Sequence, residues 1–257
     1  MTTTIDTHEL DTKVQEMYRE VAVHPQGAFH FETGRSLAER LGYPPSLLDA
    51  VPAEALESFA GVGWFFDLAA LQPGEEVVDL GCGSGTDTFA AAHLVGPTGR
   101  VRGVDFTPEQ FDKATRLAEA AGLGDVVEFW ERRIEYMPFA AESCDCVVSN
   151  GVINLIADKG RVFAEVARLL RPGGRLAIAD IVTERQLTEA ITCNTDLWAS
   201  CIGGAAQQDD YRGMIEAAGL EVREIRGNDY GFLSGQARGA SETYGVRSVS
   251  VLAVKPA

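Results

Sequence analysis

Apolar positions along the chain switch between two periods. Leu10, Val14, Met17, Tyr18 and Val21 recur at three- and four-residue steps, which predicts an amphipathic helix over residues 9–22. Val77, Val78 and Leu80 instead form a short run rich in β-branched side chains, as a strand buried on both faces requires. Similar runs follow at 100–104, 126–130, 144–149, 175–182, 221–225 and 246–254. Helical spacing lies between them at 86–95, 107–121, 158–170 and 209–218. Thr107-Pro108 and Asp158 mark helix starts, while Gly122, Arg171-Pro172-Gly173-Gly174 and Gly219 mark stops. Strands alternating with helices imply right-handed crossovers and a parallel sheet.

Upstream of that alternation the pattern is broken. Short helical turns are predicted at 36–42, 47–50 and 54–58. They sit between an aromatic and polar loop at 24–35 and a glycine-containing loop at 59–64. Residues 184–206 are irregular and mixed, and the link between the last two strands is long and glycine-rich. The chain therefore divides into an N-terminal helical segment, 1–70, and an α/β domain, 71–257, carrying an insert at 184–206.

The chemistry concentrates behind the first strand. Gly81, Gly83 and Gly85 stand at alternate positions before the helix at 86–95. Glycine turns sharply and lets a ligand approach the backbone, and the first N–H groups of the helix face whatever lies over the loop. Asp105 closes the second strand about 20 residues later, where a carboxylate can hold a ribose diol. The third glycine comes one residue too early for G-x-G-x-x-G, and the lysine of a phosphate-cradling loop is missing.

Composition narrows the partners. The 257 residues suffice for one large α/β fold, and a net charge of −16 argues against a nucleic-acid substrate. Neither a secretory leader nor a membrane-spanning apolar run is recognisable, so a cytoplasmic protein without membrane attachment is expected. Five cysteines in such a chain imply reduced thiols.

Asp79-Leu80-Gly81-Cys82-Gly83-Ser84-Gly85 resembles the first motif of class I S-adenosylmethionine-dependent methyltransferases, and the resemblance extends over residues 70–255. Several stretches are closer to the arsenite methyltransferase branch. These are Val95-Gly-Pro-Thr-Gly-Arg-Val101, Gly103-Val-Asp-Phe-Thr-Pro108, Ile134-Glu135, Ser149-Asn-Gly-Val-Ile-Asn-Leu155 with Asp158-Lys159, and Cys201-Ile-Gly-Gly-Ala205. The resemblance implies a Rossmann-like sheet of seven strands, mostly parallel with the last antiparallel, helices on both faces and an N-terminal helical cap. It implies S-adenosylmethionine as cofactor, held by Asp79, Gly81, Cys82, Gly83, Gly85, Asp105, Phe106, Thr107, Ile134, Glu135 and Asn150. In this scheme Asp105 holds the ribose hydroxyls, Phe106 lies beside the adenine, and Glu135 accepts from the exocyclic amine. The chain departs from the branch at Arg133, beside the adenine edge. It also departs at two of three arsenic-binding thiolates: Val62 and Gly151 occupy those places, and only Cys201 matches.

The expected activity is methyl transfer to a small organic acceptor with a C, N or O nucleophile, by direct displacement and without a metal. Arsenite methylation by a reduced thiolate set is one alternative. A fold relative that binds the cofactor without transferring methyl, such as a cyclase or a binding module, is another. The acceptor is expected among Phe31, Val62, Gly151, Trp198, Cys201 and Tyr230, in a monomer or homodimer. His24, His30, Asn150 and Trp198 are the candidates for catalysis, the histidines as general bases or as packing groups. Trp198 and Tyr230 serve equally as stacking platforms or core. Cys144 and Cys146, two apart on a strand, would share one face as buried thiols or a metal pair. Cys82 reads as a small spacer or a nucleophile.

Overall fold

A computed structural model describes residues 5–199, 202–233 and 235–257. Its sheet comprises β1 (Glu76–Leu80), β2 (Arg100–Asp105), β3 (Val127–Glu131), β4 (Cys144–Asn150), β5 (Leu170–Thr183), β6 (Ala206–Gln207), β7 (Glu221–Gly227) and β8 (Arg247–Val254). The order is β3-β2-β1-β4-β5-β8-β7, with β6 pairing β5 off that path. β8 runs antiparallel to β5 and β7, and the pairings among β1 to β5 are parallel. Among the described residues the sheet thus holds eight strands, where seven were expected. The eighth, β6, is a two-residue strand beside Val182 and Thr183, too short to leave a period-2 signal.

Successive residues of β1 enter different cores. Val77 joins Phe89, Val101, Val148 and Ala177 on one side, while Val78 joins Val104, Val147, Phe163 and Ile178 on the other. This two-sided burial explains the continuous apolar run. On the first side the core continues into the N-terminal helices through Leu10, Val14, Leu37, Leu48 and Phe65. Those helices are Thr7–Val23, Arg35–Arg40, Pro45–Leu48, Ala53–Glu57 and Phe66–Ala69. The first is capped by Asp6, whose Oδ1 accepts from the His8 and Glu9 N–H groups.

One local expectation is corrected. Cys144 and Cys146 pack in opposite cores, not on one face. Their pairing with β5 jumps from Leu170 to Arg175, and the bulge that accommodates Arg171–Gly174 breaks the alternation between them. The long glycine-rich link before β8 contains a helix, Gly235–Tyr244. Glycine disfavours helix by about 1 kcal/mol per residue, and here Ala240 and Tyr244 pack against the core and override that preference. The irregular segment 184–206 holds the short helices Glu189–Thr192 and Thr195–Ala199. Among the described residues no helix is long and apolar enough to cross a membrane.

Candidate active site

β1 lies between β2 and β4, where the strand order reverses, and its carboxyl end opens into the crevice in which open α/β sheets bind ligands. A cavity of about 920 Å³, mouth included, occupies that position. Its floor is the glycine loop. Gly81, Gly83 and Gly85 all have positive φ, at 65°, 54° and 95°. A Cβ on Gly81 would stand 2.4 Å from Val152 Cγ2, so only hydrogen fits there. At Gly83 the nearest atom to such a Cβ is Gln110 Oε1 at 3.7 Å, and a side chain would grow into the cavity.

The loop and the end of β2 are locked together. Asp105 Oδ2 accepts from the Gly83 N–H (2.9 Å) and Oδ1 from the Thr107 N–H (2.8 Å). The carboxylate is therefore oriented before any ligand arrives, with lone pairs left to accept hydroxyl groups. Thr107 occupies the N-cap position of helix Pro108–Ala120, although its side chain makes no capping bond. Phe106, Thr107, Ile134 and Glu135 also line the cavity. Arg133 lines it too, and its Nη2 donates to Glu135 Oε1 at 2.6 Å.

Two further acids, Asp79 and Asp87, line the cavity. Asp79 Oδ2 accepts from Thr88 Oγ1 at 2.6 Å. Asp87 accepts from Tyr43 Oη (2.6 Å) and from Asn150 Nδ2 (3.1 Å). Burial, together with the charge of Asp87, pushes the Asp79 carboxyl up to about 8. Burial raises Asp87 to about 6, against its bonds from Tyr43 and Asn150. It also raises Asp105, which the Thr107 and Gly83 N–H groups oppose. Cys82 lines the cavity, but burial and the nearby Asp105 and Asp79 keep its thiol protonated, unsuited to nucleophilic attack.

Asn150 reaches the cavity from the end of β4 with its amide engaged. Oδ1 accepts from the Val62 N–H (2.7 Å) and the Gly63 N–H (3.3 Å). Nδ2 also donates to Gly63 O (3.1 Å) and Tyr43 Oη (2.9 Å). It therefore fixes the 59–64 loop against the sheet. Ser248 and Ser250 hold that loop from behind by donating to Val62 O and Trp64 O. Gly151 lines the cavity with φ at 74°, and a Cβ there would stand 3.2 Å from Val62 Cγ1. Two positions 89 apart in sequence are thus neighbours.

The remaining predicted residues are distributed differently. Phe31 is buried one layer out, stacked on Tyr18, which does line the cavity. His30 packs edge-on against Phe31, and its Nε2 has no hydrogen-bond partner among the described residues. Burial lowers its pKa. His24 is exposed at the end of helix Thr7–Val23. Trp198 donates to Thr192 O and lies under Lys159 Nζ, 4.7 Å from its ring centroid, beside a separate outer groove. Tyr230 packs edge-on with Phe232 and is not part of the cavity wall. Cys201 lies outside the described residues. Sequence reasoning missed Val14, Tyr18, Tyr43 and Asp87. Only Asp87 carried a local signal, an acid in the first turn of the helix behind the glycine loop.

Residues 71–219 match the family described as a methyltransferase domain. The chain is 42% identical to an arsenite methyltransferase of Halobacterium salinarum over 77% of its own length and 50% of the relative's. It is 31% identical to the methyltransferase GfsG of Streptomyces halstedii, over 70% of this chain and 64% of that one. The crystal structure of CrArsM, an arsenic(III) S-adenosylmethionine methyltransferase from Chlamydomonas reinhardtii, superposes with a TM-score of 0.69 at 30% identity, covering 84% of this chain and 75% of that one. The chain spans about half the length of the arsenite methyltransferases first named among its curated relatives.

Proposed function

The chain belongs to the methyltransferase-domain family, and from that premise we propose that it transfers a methyl group from S-adenosylmethionine to a small organic acceptor. The observation that carries the cofactor reading is the acid arrangement. Asp79, Asp87 and Asp105 are buried around the one cavity whose floor is the glycine loop. Buried carboxylates are costly unless a cation or hydrogen bonds compensate them, and a ligand bearing an ammonium and a sulfonium supplies that charge. Asp105, held by two N–H groups, is suited to a ribose diol, and the open side of Gly83 admits the methionine portion.

S-adenosylmethionine supplies, when bound, an electrophilic methyl group on sulfur. The protein's own residues orient and exclude water. Ile134 and Glu135 border the adenine, and Asn150 holds the 59–64 loop in place over the reacting centre. His24 and His30 are not in the cavity wall, so the reading assigns neither a direct proton transfer.

The acceptor is assigned from Val62 and Gly151. Gly151 lines the cavity and Val62 is buried behind it, outside the lining, so hydrogen and hydrocarbon stand where arsenite enzymes carry thiolates, and a soft trivalent centre has little affinity for either. Val152, Leu155 and Ile156 add apolar side chains to the cavity wall, which suits an organic group. Calorimetry with S-adenosylmethionine and S-adenosylhomocysteine tests the cofactor. Formation of S-adenosylhomocysteine with fractionated metabolites, compared with trivalent arsenic plus glutathione, tests the acceptor. Turnover confined to arsenic refutes the organic reading.

A further inference from the structure

Helix Thr7–Val23 closes over one side of the cavity, where Val14 and Tyr18 form part of the wall. Polar ties attach it to the α/β portion. Gln15 Nε2 donates to Phe106 O, and Gln110 Nε2 to Tyr18 O, both at 2.8 Å. Arg19 pairs with Glu109 at 2.9 Å. The central tie is Arg133. It donates from Nη1 and Nη2 to the two oxygens of Asp11, at 2.6 and 3.3 Å, and from Nη2 to Glu135 at 2.6 Å. Its guanidinium stands 5.7 Å from the Phe106 ring centroid. One cation in the cavity wall thus joins the covering helix to Glu135 and Phe106 of the same wall.

We infer that Arg133 is a positioning residue that latches helix Thr7–Val23 over the cofactor, so that cofactor entry and exit both require the Arg133–Asp11 pair to open. The inference rests on the reading of this cavity as the S-adenosylmethionine site. The planar guanidinium spans two carboxylates at once, which a lysine does not reproduce. The side chains of Arg133 and Asp11 are 40% and 32% exposed, so water can replace the pair at modest cost and the latch can open repeatedly. A tie present in both the free and loaded protein raises the barrier for association and dissociation alike. Its loss accelerates both and leaves the equilibrium nearly unchanged. A contact made only to the bound cofactor would instead accelerate dissociation alone.

The test is stopped-flow binding of S-adenosylhomocysteine to the full chain, comparing wild type, Arg133→Ala, Asp11→Asn and the double variant. Asp11→Asn, outside the cavity wall, is expected to raise the association and dissociation rates together, by roughly two- to fivefold, with Kd altered less than about twofold. Arg133→Ala should raise both rates as well and also weaken Kd, because it removes the guanidinium that holds Glu135. The double variant should add nothing beyond Arg133→Ala, because both changes remove the one Arg133–Asp11 interaction. High salt should accelerate the wild type and barely affect the variants, and Arg133→Lys should restore part of the effect. Asp11→Asn alters a partly exposed helix position and keeps the test valid if Arg133→Ala folds poorly. Unchanged rates in Asp11→Asn, or faster dissociation of that variant with Kd weakened in step, overturn the latch. Wild-type protein that gives no calorimetric signal with S-adenosylmethionine or S-adenosylhomocysteine overturns the underlying site reading, a distinguishable failure.

Discussion

Replacing Asp79 by asparagine separates charge from shape at the most perturbed acid of the cavity. In the unfolded chain this carboxyl titrates near 3.8, and in the folded protein it is pushed up to about 8. A carboxyl raised on folding binds a proton that the unfolded chain has released, so its contribution to stability falls as pH rises from about 4 to about 8. At pH 7 that difference is on the order of 4 kcal/mol, at about 1.4 kcal/mol per unit. Asparagine removes it. Thr88 can still donate to the side-chain oxygen, while the new NH₂ group lacks an assigned acceptor and costs about 1–3 kcal/mol. The cofactor-free variant should therefore be more stable than wild type by roughly 1–3 kcal/mol at pH 7, or about 2–12 °C in Tm for a chain of this size, and by more at pH 8. Near pH 4 the order should reverse, because the carboxyl is then largely neutral and only the amide cost remains. Cofactor binding should show the opposite preference. A cationic ligand draws the proton from Asp79, so wild-type affinity should rise with pH towards 8, and Asp79→Asn should bind more weakly without that dependence. Thermal scans from pH 4 to 8, with and without S-adenosylmethionine, check both parts. A variant less stable than wild type at pH 8, or a wild-type minus variant difference that does not change with pH, would refute the assignment of the cost to Asp79.

The other expectations are simpler. Asp105→Ala should weaken cofactor binding by about 1.5–3 kcal/mol, the range for hydrogen bonds to a charged group, and unchanged affinity in a folded variant would remove Asp105 from the ribose site. Gly83→Val should abolish cofactor binding by filling the cavity, and the φ of 54° adds about 1–2 kcal/mol of strain that thermal unfolding should register. Trivalent arsenic with glutathione should yield little or no S-adenosylhomocysteine, whereas Cys201→Ser should keep most activity on the organic acceptor. Robust arsenic turnover lost in Cys201→Ser would mean that another thiol completes the ligand set. Val62→Cys with Gly151→Cys tests the same point in reverse by thiolate–arsenic absorbance. Its second change is strained by a φ of 74° and by the 3.2 Å approach to position 62.

Local sequence determined what local physics controls. The β-branched run at 77–80, the helix Thr86–Val95 and the stop at Gly122 depend on neighbours within a few residues, and their ranges follow directly from the pattern. The glycine loop and Asp105 were legible for the same reason: a tight turn needs positive φ, and the acid ends the next parallel strand. Other features depended on contacts across the chain. Tyr43, Asp87 and Asn150 form one hydrogen-bonded cluster from three separate segments, and no period or motif links them. The meeting of Val62 with Gly151, and of Asp11 with Arg133, follows from how the cap helices share a core with β1 and β4. The separation of Cys144 from Cys146 went against local expectation, because a strand bulge outweighed simple alternation, and the helix Gly235–Tyr244 left no clear local signal in its glycine-rich stretch. Long-range burial contributes more free energy than local preference, so tertiary structure decided which of the chemically able residues came together around the cavity.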